Sequence, residues 1–430
     1  MADRKHRVVI VGGGFGGLAA AKALAGADVE IVLIDRRNHH LFQPLLYQVA
    51  TAALSPSEIA WPIRHLLRRQ SNARVLMATV IGVDQASRAV LLEDGGSVAY
   101  DSLVLATGAQ HAYFGHDDWE TFAPGLKTVE DATAIRRKLL LALEAAERET
   151  DPARRRALLT FAIIGAGPTG VEMAGAIVEL GHTSIKGQFN TLSPADLRVV
   201  LIEGADRVLL NFEPDLSEYT LNALRRMGVE VELGQPVVGI DRDGVSFGDQ
   251  RLDTKTIIWA AGVAASPVAK WLGIDSDRAG RVQVEPDLSV PGLPDIFVIG
   301  DVAGILQPNG KPVPGVAPAA KQAGKHVARV IRRRLSGDMS ALPFRYKHAG
   351  DLATIGKSSA VIDFGWLKLK GWFAWWVWGF AHIYFLVETR TRIVITMNWL
   401  WIYLTGQRSA RLITHGEATS RKPLDEVDED

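Results

Sequence analysis

Six residues, GGGFGG at 12–17, have the spacing of a turn that binds a dinucleotide. They follow an apolar strand pattern at 7–11 and precede an alanine-rich helix pattern, which is the setting such a turn requires. There, the first glycine permits the tight turn, the second lets a pyrophosphate approach, and the third lets the helix pack on the strand. The helix N-terminus then faces the phosphates. We predict nucleotide contacts at Gly12, Gly14, Phe15, Gly16 and Gly17.

Further residues follow where a dinucleotide needs them. The strand pattern VEIVLID ends at Asp35, 18 residues after Gly17, where a carboxylate accepts hydrogen bonds from a ribose. Another apolar strand pattern ends at Thr107 and Gly108. The segment LPDIFVIGDVAGI carries Asp301, which we expect at the ribityl–phosphate region of a flavin, although it suits a helix N-cap as well.

The pattern recurs in the second half of the chain. GAGPTG at 165–170 follows an apolar strand pattern, and the next strand pattern ends at Glu203 after a gap lengthened by a predicted inserted loop at 183–196. The spacing from Gly12 to Gly108 is 96 residues, and the spacing from Gly165 to Gly262 is 97. One such turn is often only a packing turn, but two with matching spacing indicate two nucleotide sites. The second site is predicted at Gly165, Gly167, Pro168, Thr169, Gly170, Glu203 and Gly262.

Two dinucleotide sites in one chain favour electron transfer between two cofactors. We assign FAD to the first site and NADH to the second. Glu203 favours NADH because a carboxylate repels the 2′-phosphate of NADPH, and Arg207 is close enough in sequence to soften that preference.

The composition of the 430 residues restricts the chemistry. There is no cysteine, which excludes disulfides, redox dithiols and thiolate metal sites, and we predict no metal site. Lysine plus arginine equals aspartate plus glutamate at 48 each, so no net charge favours nucleic acid. The start MADRKH lacks the apolar segment of a signal peptide, which predicts the cytoplasm or the membrane face bordering it.

Several blocks resemble the type II NADH dehydrogenases, the single-subunit NADH:quinone oxidoreductases among the two-dinucleotide-binding-domain flavoproteins. FQPLLYQVAT at 42–51 is the most specific of them, because no general physical requirement demands that string. The other blocks are ATGAQHAYFG at 106–115, IIGAGPTGVEMAG at 163–175, FVIGDVA at 297–303 and the C-terminal stretch from 351 to 386.

The resemblance implies a peripheral-membrane NADH:quinone oxidoreductase that does not pump protons. Hydride would pass from NADH to FAD, and two electrons would then pass to a ubiquinone-like membrane quinone of a respiratory chain. A homodimer on the cytoplasmic face of the plasma (inner) membrane is implied as well. Two alternatives remain: an FAD- and NADH-binding redox sensor that acts slowly through partners, and a soluble reductase for a ferredoxin-type protein.

The resemblance also assigns residues. It places Glu172 near the nicotinamide, where it could orient the carboxamide or move a proton; the alternative is an acid that favours the helix dipole. It places Lys321 and Gln322 on the flavin and quinone side, although a solvated helix residue would also explain Gln322. The FAD contacts implied by the resembling blocks are Arg36, Gln43 and Ala317.

The sequence departs from the family near the quinone. Pro318 and Ala323 stand where the family has glutamines, and Ala349 stands where many relatives have a lysine. Lys347 or His348 could substitute for that lysine only if the geometry allows.

The stretch GWFAWWVWGFAHIYFLV at 371–387 is uncharged but has only 17 residues, whereas a membrane-spanning helix needs about 20. Its tryptophans lie along its whole length, and a second apolar run follows at 393–405. We predict two helices lying in one leaflet of a lipid bilayer, with a protein core or a dimer interface as the alternative. The flanking cations expected to meet lipid headgroups are Lys368, Lys370, Arg390, Arg392, Arg408 and Arg411.

The predicted fold class is α/β, with two Rossmann-like dinucleotide-binding domains and a C-terminal membrane-associating helical segment. The FAD-binding domain is expected to be discontinuous, at 1–120 and 285–345, with the NADH-binding domain at 121–284. The membrane-anchoring and dimerisation region is expected at 346–415, and the charged residues 416–430 are expected to be a disordered tail.

Overall fold

The computed structural model describes residues 5–340, 342–386, 388–408 and 410–413. Its largest sheet has six strands, and all but the antiparallel edge strand run parallel. Because both faces of this sheet are covered, its central strands are continuous apolar runs. In spatial order the strands are Ser289–Val290, Leu293–Val298, Ser102–Leu105, His6–Val11, Val29–Asp35 and Ala73–Met77. Residues beyond 288 thus complete a sheet begun at the N-terminus.

Two helices, Phe15–Ala23 and Ala317–Leu335, pack closely together against this sheet. Glycines allow the close approach: a Cβ on Gly324 would lie 2.2 Å from the backbone oxygen of Gly16. The distant segment Ala317–Leu335 is therefore held against the first glycine turn.

A second, smaller parallel sheet follows the same plan. Its strands, in spatial order, are Val229–Glu232, Arg198–Ile202, Thr160–Ile164 and Thr256–Trp259. Its helices are Val129–Arg148, Pro152–Leu158, Pro168–Ile185 and Pro214–Arg226. Two glycine-turn α/β units are therefore present, and the predicted fold class is confirmed.

The insertion in the second unit is shorter than predicted. The expected loop at 183–196 begins with residues that belong to the helix Pro168–Ile185, because Ser184 and Ile185 are buried and extend its packed face. A short 3₁₀ turn, Pro194–Asp196, ends the insertion.

Smaller elements connect the two units. Ala109–His111 pairs antiparallel with Val263–Ala265, so one strand from each half joins the units beside Gly108 and Gly262. Two- and three-stranded sheets are formed by His39–Leu41 with Ala60–Pro62, by Val80–Asp84, Ala89–Leu92 and Ser97–Ala99, by Val237–Ile240, Gly244–Phe247 and Gln250–Asp253, and by Val282–Gln283 with Ala303–Gly304. The short helices are Leu46–Ala50, Pro56–Ile59, Ile63–Leu66 and Val268–Leu272, with 3₁₀ turns Gln43–Leu45, Asp117–Thr121 and Gly300–Val302.

The C-terminal region consists of three antiparallel strands and two helices. The strands are Asp351–Thr354, Ala360–Asp363 and Lys368–Gly371. The helices Trp372–Phe385 and Thr389–Thr405, here called the aromatic hairpin, follow directly. None of the helices in the described ranges has the length and apolar character to span a bilayer. The tail expected at 416–430 lies outside the described residues.

The aromatic hairpin has a buried side and an exposed side. Trp378 is 2% exposed and packs in the core that includes the second sheet. Side chains about four residues apart face outward on both helices, namely Trp372, Trp376, Phe380 and Tyr384 on the first and Ile393, Met397, Trp401 and Leu404 on the second. The alternative of a protein core therefore applies to one face, and insertion of the other face into a bilayer stays a prediction.

Candidate active site

The first glycine turn has the geometry that a bound pyrophosphate requires. Gly12 has a φ of +105°, a left-handed conformation that favours glycine. A Cβ on Gly17 would lie 1.9 Å from the backbone oxygen of Gly12, so the helix can start here only with glycine. Around Gly14, by contrast, no atom lies within 4 Å of the Cβ position, which leaves space for a phosphate at the helix N-terminus. The residues present fit the phosphates of FAD.

Asp35 lies at the end of its strand beside this turn. Its carboxylate accepts hydrogen bonds from the backbone N–H of Gly13 at 2.6 Å and of Arg37 at 2.7 Å. These bonds orient the carboxylate, and a carboxylate retains acceptor positions for a ribose hydroxyl. Arg36 is exposed next to it.

The second glycine turn repeats this geometry. Gly165 has a φ of +98°, and a Cβ on Gly170 would lie 1.8 Å from the backbone oxygen of Gly165. Around Gly167 the space is again open. Glu203 accepts hydrogen bonds from the backbone N–H of Ala166 at 2.6 Å and of Ala205 at 3.0 Å, as Asp35 does in the first unit.

Arg207, which the sequence placed near the second ribose, is held by its own loop. Its guanidinium donates to the backbone oxygens of Leu210 at 2.7 Å and Phe212 at 3.0 Å. Arg207 makes no ion pair with Glu203 in the described residues. The Glu203 carboxylate is therefore not neutralised by Arg207, and its charge disfavours a 2′-phosphate.

Asp301 lines a cavity of about 320 Å³, including its open mouth, between the first sheet and the helix Ala317–Leu335. Gly300, Val316 and Ala319 also line it. Asp301 lies inside the turn Gly300–Val302, whose N-cap is Ile299, so the alternative role of N-cap is not the one it takes. Burial lowers the pKa of the nearby Lys127 ammonium, and the negative charge of Asp301 opposes that effect.

Other predicted contacts lie at the junction of the two units. Gly108 has a φ of +71°, and the Thr107 hydroxyl hydrogen-bonds the hydroxyl of Ser266 from the second unit. The exposed ring of Phe114 covers Gly262, and a Cβ on Gly262 would lie 2.5 Å from the Phe114 Cζ atom. The Gln43 amide donates to the backbone oxygen of Lys127 at 3.1 Å.

A second cavity, of about 560 Å³ including its open mouth, lies between the second unit and the aromatic hairpin. The FQPLLYQVAT block forms one wall through Tyr47 and Gln48. The helix Pro168–Ile185 supplies Glu172, and the aromatic hairpin supplies Trp378 and Trp399. These segments, together with Thr354, Lys357 and Arg408, are far apart in the sequence and line one largely apolar space.

Hydrogen bonds connect the polar groups of this cavity. The Tyr47 hydroxyl lies 3.1 Å from the Thr354 hydroxyl and accepts from the Gln48 amide at 3.0 Å. Trp399 donates its indole N–H to the Gln48 side-chain oxygen at 2.7 Å, which ties the aromatic hairpin to the block. The backbone N–H of Thr354 points to the Glu172 carboxyl at 3.4 Å.

Burial sets the protonation of Glu172. Desolvation raises the pKa of its carboxyl to about 8, opposed only in part by the Thr354 N–H. Burial, followed by the charge of Glu172, raises the pKa of the Tyr47 phenol far above its usual range. Glu172 also lies beyond the first turn of its helix, whose first turn carries no acid, which argues against the helix-dipole interpretation. At neutral pH this carboxyl holds a proton beside the cavity.

Comparison with known proteins places the chain in a family. A model described as pyridine nucleotide-disulphide oxidoreductase matches residues 6–324, and one described as NDH2 C-terminal domain matches residues 348–408. The type II NADH:quinone oxidoreductase Ndh of Mycobacterium tuberculosis is 43% identical over 99% of this chain and 94% of its own. NdhA of the same organism is 45% identical over 95% of this chain and 90% of its own. The chain belongs to the type II NADH:quinone oxidoreductase family.

Solved structures agree with this type II NADH:quinone oxidoreductase fold. The NDH2 of Plasmodium falciparum in complex with NADH superposes with a TM-score of 0.86 at 21% identity, covering 94% of this chain and 99% of that one. The sulfide:quinone oxidoreductase of Aquifex aeolicus gives a TM-score of 0.73 at 20% identity, covering 95% and 96%. At such identities the likeness concerns the fold.

Within this type II oxidoreductase, the side-chain amide of Gln322 bonds to the backbone of Lys347. Its amide donates to the backbone oxygen of Lys347 at 2.9 Å and accepts from the backbone N–H of Lys347 at 2.9 Å. Both polar atoms are therefore used to hold the segment at 347 against the helix Ala317–Leu335. His348 lies near the backbone oxygen of Asp363, at 3.3 Å.

Lys321 lies between the first unit and the aromatic hairpin. Its ammonium is 5.0 Å from the ring centroid of Phe15 and 5.2 Å from that of Phe385. Burial, with smaller contributions from Lys325 and Lys22, lowers its pKa to about 8. Lys321 thus lies near the first glycine turn and apart from the residues that line the Glu172 cavity.

Several polar groups of the cavity were not among the predicted site residues of this type II oxidoreductase. Tyr47 and Gln48 lie in the block that carried the resemblance, and that block was the available signal. Thr354 likewise lies in the resembling stretch at 351–386, whereas Glu179 had no local signal. Arg408, expected to meet lipid headgroups, is instead buried beside Glu179 because its guanidinium pairs with that carboxylate, so this expectation was wrong.

Proposed function

We propose that the protein is a peripheral-membrane NADH:quinone oxidoreductase that does not pump protons. The relatives named for this activity align with nearly the whole chain, including the C-terminal region. The single observation that carries the proposal is the Glu172 cavity, because it joins the helix of the second glycine turn to the aromatic hairpin. The cavity therefore lies between the proposed NADH site and the surface proposed to contact the membrane.

FAD, when bound, accepts a hydride from NADH and passes two electrons on to a quinone. The protein supplies the binding surfaces and the geometry. Gly12, Gly14 and Gly17 shape the turn for the FAD phosphates, and Asp35 is oriented for the ribose. Gly165, Gly170 and Glu203 repeat these roles for NADH.

The Glu172 cavity is our candidate quinone site. Its apolar walls suit a ring with a lipophilic tail, and its few polar groups can fix the carbonyl oxygens. Reduction of a quinone to a quinol consumes two protons as well as two electrons. Glu172, protonated at neutral pH because of its raised pKa, can donate one of them, and the Tyr47 hydroxyl can donate a hydrogen bond to a carbonyl.

The predicted quinone-side role of Gln322 is revised to a positioning role, since both of its amide atoms bond to Lys347. Lys321, with its lowered pKa, remains a proposed positive charge near the first glycine turn. Pro318 and Ala323 stand where the family has glutamines, so those two amides are absent here. Gln48 and Tyr47 provide hydrogen-bonding groups in the Glu172 cavity instead.

Steady-state kinetics test the proposal. The FAD-loaded protein is expected to oxidise NADH with a short-chain ubiquinone as acceptor, and NADPH far more slowly. NADH oxidation that no quinone accelerates would instead favour the sensor that acts through partners. Acceleration only by a ferredoxin-type protein would favour the soluble reductase.

Replacing Glu203 with alanine tests the nucleotide assignment. The change removes a carboxylate that hydrogen-bonds two backbone N–H groups and faces the ribose, so we expect NADH binding to weaken by at most about 3 kcal/mol. The ratio of kcat/KM for NADH to that for NADPH should fall, because the repulsion of the 2′-phosphate is lost.

Glu232, an acid at the end of the neighbouring strand, provides the control for this substitution. Glu232→Ala is expected to leave the NADH/NADPH ratio unchanged. Unchanged kinetics in Glu203→Ala would show that the second nucleotide site is assigned to the wrong residues.

We also propose that the exposed side of the aromatic hairpin inserts into one leaflet of a lipid bilayer. The outward rings and aliphatic side chains form continuous stripes, with Phe380 at 74% and Leu404 at 70% exposure. Tryptophan and tyrosine rings prefer the interface between hydrocarbon and headgroups. Trp375 and Tyr403 of the same hairpin line the Glu172 cavity, so a quinone in that leaflet would lie next to the cavity.

Substitutions on this surface test the bilayer proposal. Phe380→Ser with Leu404→Ser should lower binding to lipid vesicles by about tenfold or more in a flotation assay. Met339→Ser, which removes an apolar side chain of similar exposure outside the hairpin, should leave binding unchanged. If the double variant floats normally but changes from dimer to monomer in solution, this surface is a homodimer interface instead. The homodimer and the cytoplasmic face otherwise remain predictions.

A further inference from the structure

A buried ion pair joins the end of the aromatic hairpin to the second unit. The Arg408 guanidinium lies 3.2 Å from the Glu179 carboxylate, and their side chains are only 5% and 18% exposed. Glu179 belongs to the helix Pro168–Ile185, whereas Arg408 follows the hairpin by three residues. The pair therefore connects segments 229 residues apart.

The backbone turn that brings Arg408 inward depends on Gly406. This residue ends the helix Thr389–Thr405 with a left-handed φ of +71°, and its Cβ position lies 3.3 Å from the Thr183 side chain. After this turn, Arg408 lies beside Glu179 of the helix Pro168–Ile185. Arg408 consequently enters the protein, although its place in the sequence suggests a surface cation.

Additional bonds hold both members of the pair. Arg408 also donates to the backbone oxygen of Thr51 at 2.7 Å, directly after the FQPLLYQVAT helix. Glu179 also accepts from the backbone N–H of Lys357, in the C-terminal sheet region. A glycine is required next to it, because a Cβ on Gly356 would lie 2.6 Å from the Glu179 carboxylate. Four separate segments therefore meet at one ion pair.

All of these groups line the Glu172 cavity. Thr51, Glu179, Lys357 and Arg408 line it together with Trp375, Trp378 and Trp399 of the aromatic hairpin. Glu172 and Glu179 are seven residues apart on one helix, which places both on the same face. Burial raises the pKa of Glu179, and the charge of Arg408 opposes this, so the two side chains stabilise each other's charged forms.

We propose that Glu179 and Arg408 are a positioning pair that assembles the quinone cavity by docking the segment 406–408 onto the helix that carries Glu172. The proposal rests on the assignment of this cavity as the quinone site. The segment after the aromatic hairpin then has a role in quinone binding itself, separate from membrane attachment. A buried ion pair contributes little net stability compared with an apolar pair, but it fixes one arrangement, because either charge alone is unfavourable there.

The test compares Arg408→Gln, Arg408→Lys and the double variant Glu179→Gln with Arg408→Gln, all as FAD-loaded full-length protein. We expect Arg408→Gln to raise the KM for a short-chain ubiquinone by about tenfold, while the rate of flavin reduction by NADH stays within about twofold. The double variant should recover part of the lost affinity, because it removes the unpaired carboxylate. Arg408→Lys should resemble Arg408→Gln, because one ammonium cannot reproduce the forked contact with Glu179 and Thr51.

Lys186→Gln is the matched control. Lys186 is an exposed cation directly after the helix Pro168–Ile185, and it does not line the cavity. Its KM for quinone should equal that of the unaltered protein. If all Arg408 variants melt at lower temperature but keep the quinone KM, the pair is only structural and the proposal is wrong.

Glu172→Gln and Trp399→Phe, measured in parallel, distinguish the positioning role of the ion pair from the assignment of the cavity as the quinone site. If these variants change quinone kinetics and the Arg408 variants do not, the positioning pair is rejected while the cavity assignment stands. If none of them changes quinone kinetics, the cavity is not the quinone site and both proposals fail. If Arg408→Gln does not fold, Arg408→Lys and the double variant decide in the same way.

Discussion

Replacing Glu172 with glutamine is expected to slow quinone reduction by about 100-fold while leaving flavin reduction by NADH nearly unchanged. Glutamine keeps the shape and the hydrogen-bonding capacity of the protonated carboxyl but cannot release a proton. The expected loss is therefore specific to the step that consumes protons. Separate rapid-mixing measurements of flavin reduction by NADH and of flavin reoxidation by quinone would give the two rates.

The pH dependence provides a second signature of the same carboxyl. Because burial raises the pKa of Glu172 to about 8, the group is protonated below that value and able to donate. As the pH rises through about 8 the carboxyl loses its proton, and the rate of quinone reduction should fall in the unaltered protein. The Gln variant should lack this decline, since it has no group to titrate there.

Glu218→Gln is the control for this prediction, because Glu218 is an exposed acid on the helix Pro214–Arg226. It should alter neither the rate nor the pH profile. A Glu172→Gln protein that reduces quinone at the normal rate, with the decline at high pH intact, would rule out Glu172 as the proton donor.

The second large effect concerns the first glycine turn, where two alanine substitutions should behave differently. In Gly17→Ala the new methyl group would lie 1.9 Å from the backbone oxygen of Gly12, so the turn cannot form and no FAD should be retained. In Gly14→Ala the methyl group meets no protein atom within 4 Å, and the protein should fold. It would, however, occupy the space intended for the pyrophosphate and weaken FAD binding.

Flavin content after gel filtration, with the far-ultraviolet circular dichroism spectrum as a measure of folding, distinguishes these outcomes. Gly167→Ala is the matched variant in the second unit, where the Cβ position is also open. It should keep its FAD and raise the KM for NADH. Normal FAD retention by Gly14→Ala, or loss of FAD from Gly167→Ala, would contradict the assignment of the two cofactors to the two turns.

Local patterns in the sequence were sufficient for the two nucleotide turns. Strand, turn and helix are contiguous there, so the spacing of Gly12, Gly14 and Gly17 reports their geometry directly. The positions of the Asp35 and Glu203 carboxylates could also be predicted from the sequence, because each residue lies at the end of the strand that follows its glycine turn. The two-unit α/β fold followed from the repetition of this unit.

The Glu172 cavity could not be derived in the same way. Its walls depend on contacts between residues distant in sequence, such as Tyr47 with Thr354, which are 307 residues apart. Single-sequence patterns carry no signal for such pairs. The blocks that carry the family resemblance contain lining residues such as Tyr47, Glu172 and Thr354, but they do not show that these residues meet. The burial of Arg408 depends similarly on a chain reversal at Gly406 whose direction the sequence does not specify.

The aromatic hairpin was predicted in type but not in detail. Its composition indicated two apolar helices at a membrane interface; the two helices are present, and their interfacial role stays a prediction. The inward rings of Trp378 and Trp399 were not separated from the others, because the apolar residues of these two helices show no clear helical periodicity that could mark the buried face. Their packing against the second unit, rather than any spacing in the sequence, decides which rings line the cavity.

The most direct test of the central claim is an anaerobic rapid-mixing experiment on the FAD-loaded protein, monitored by flavin absorbance. NADH is added first, and a short-chain ubiquinone is added after the flavin has bleached. We predict complete bleaching by NADH and rapid recovery of the oxidised spectrum on addition of quinone, which would establish electron transfer from NADH through FAD to quinone. Bleaching followed by a stable reduced spectrum that quinone does not discharge would contradict the account.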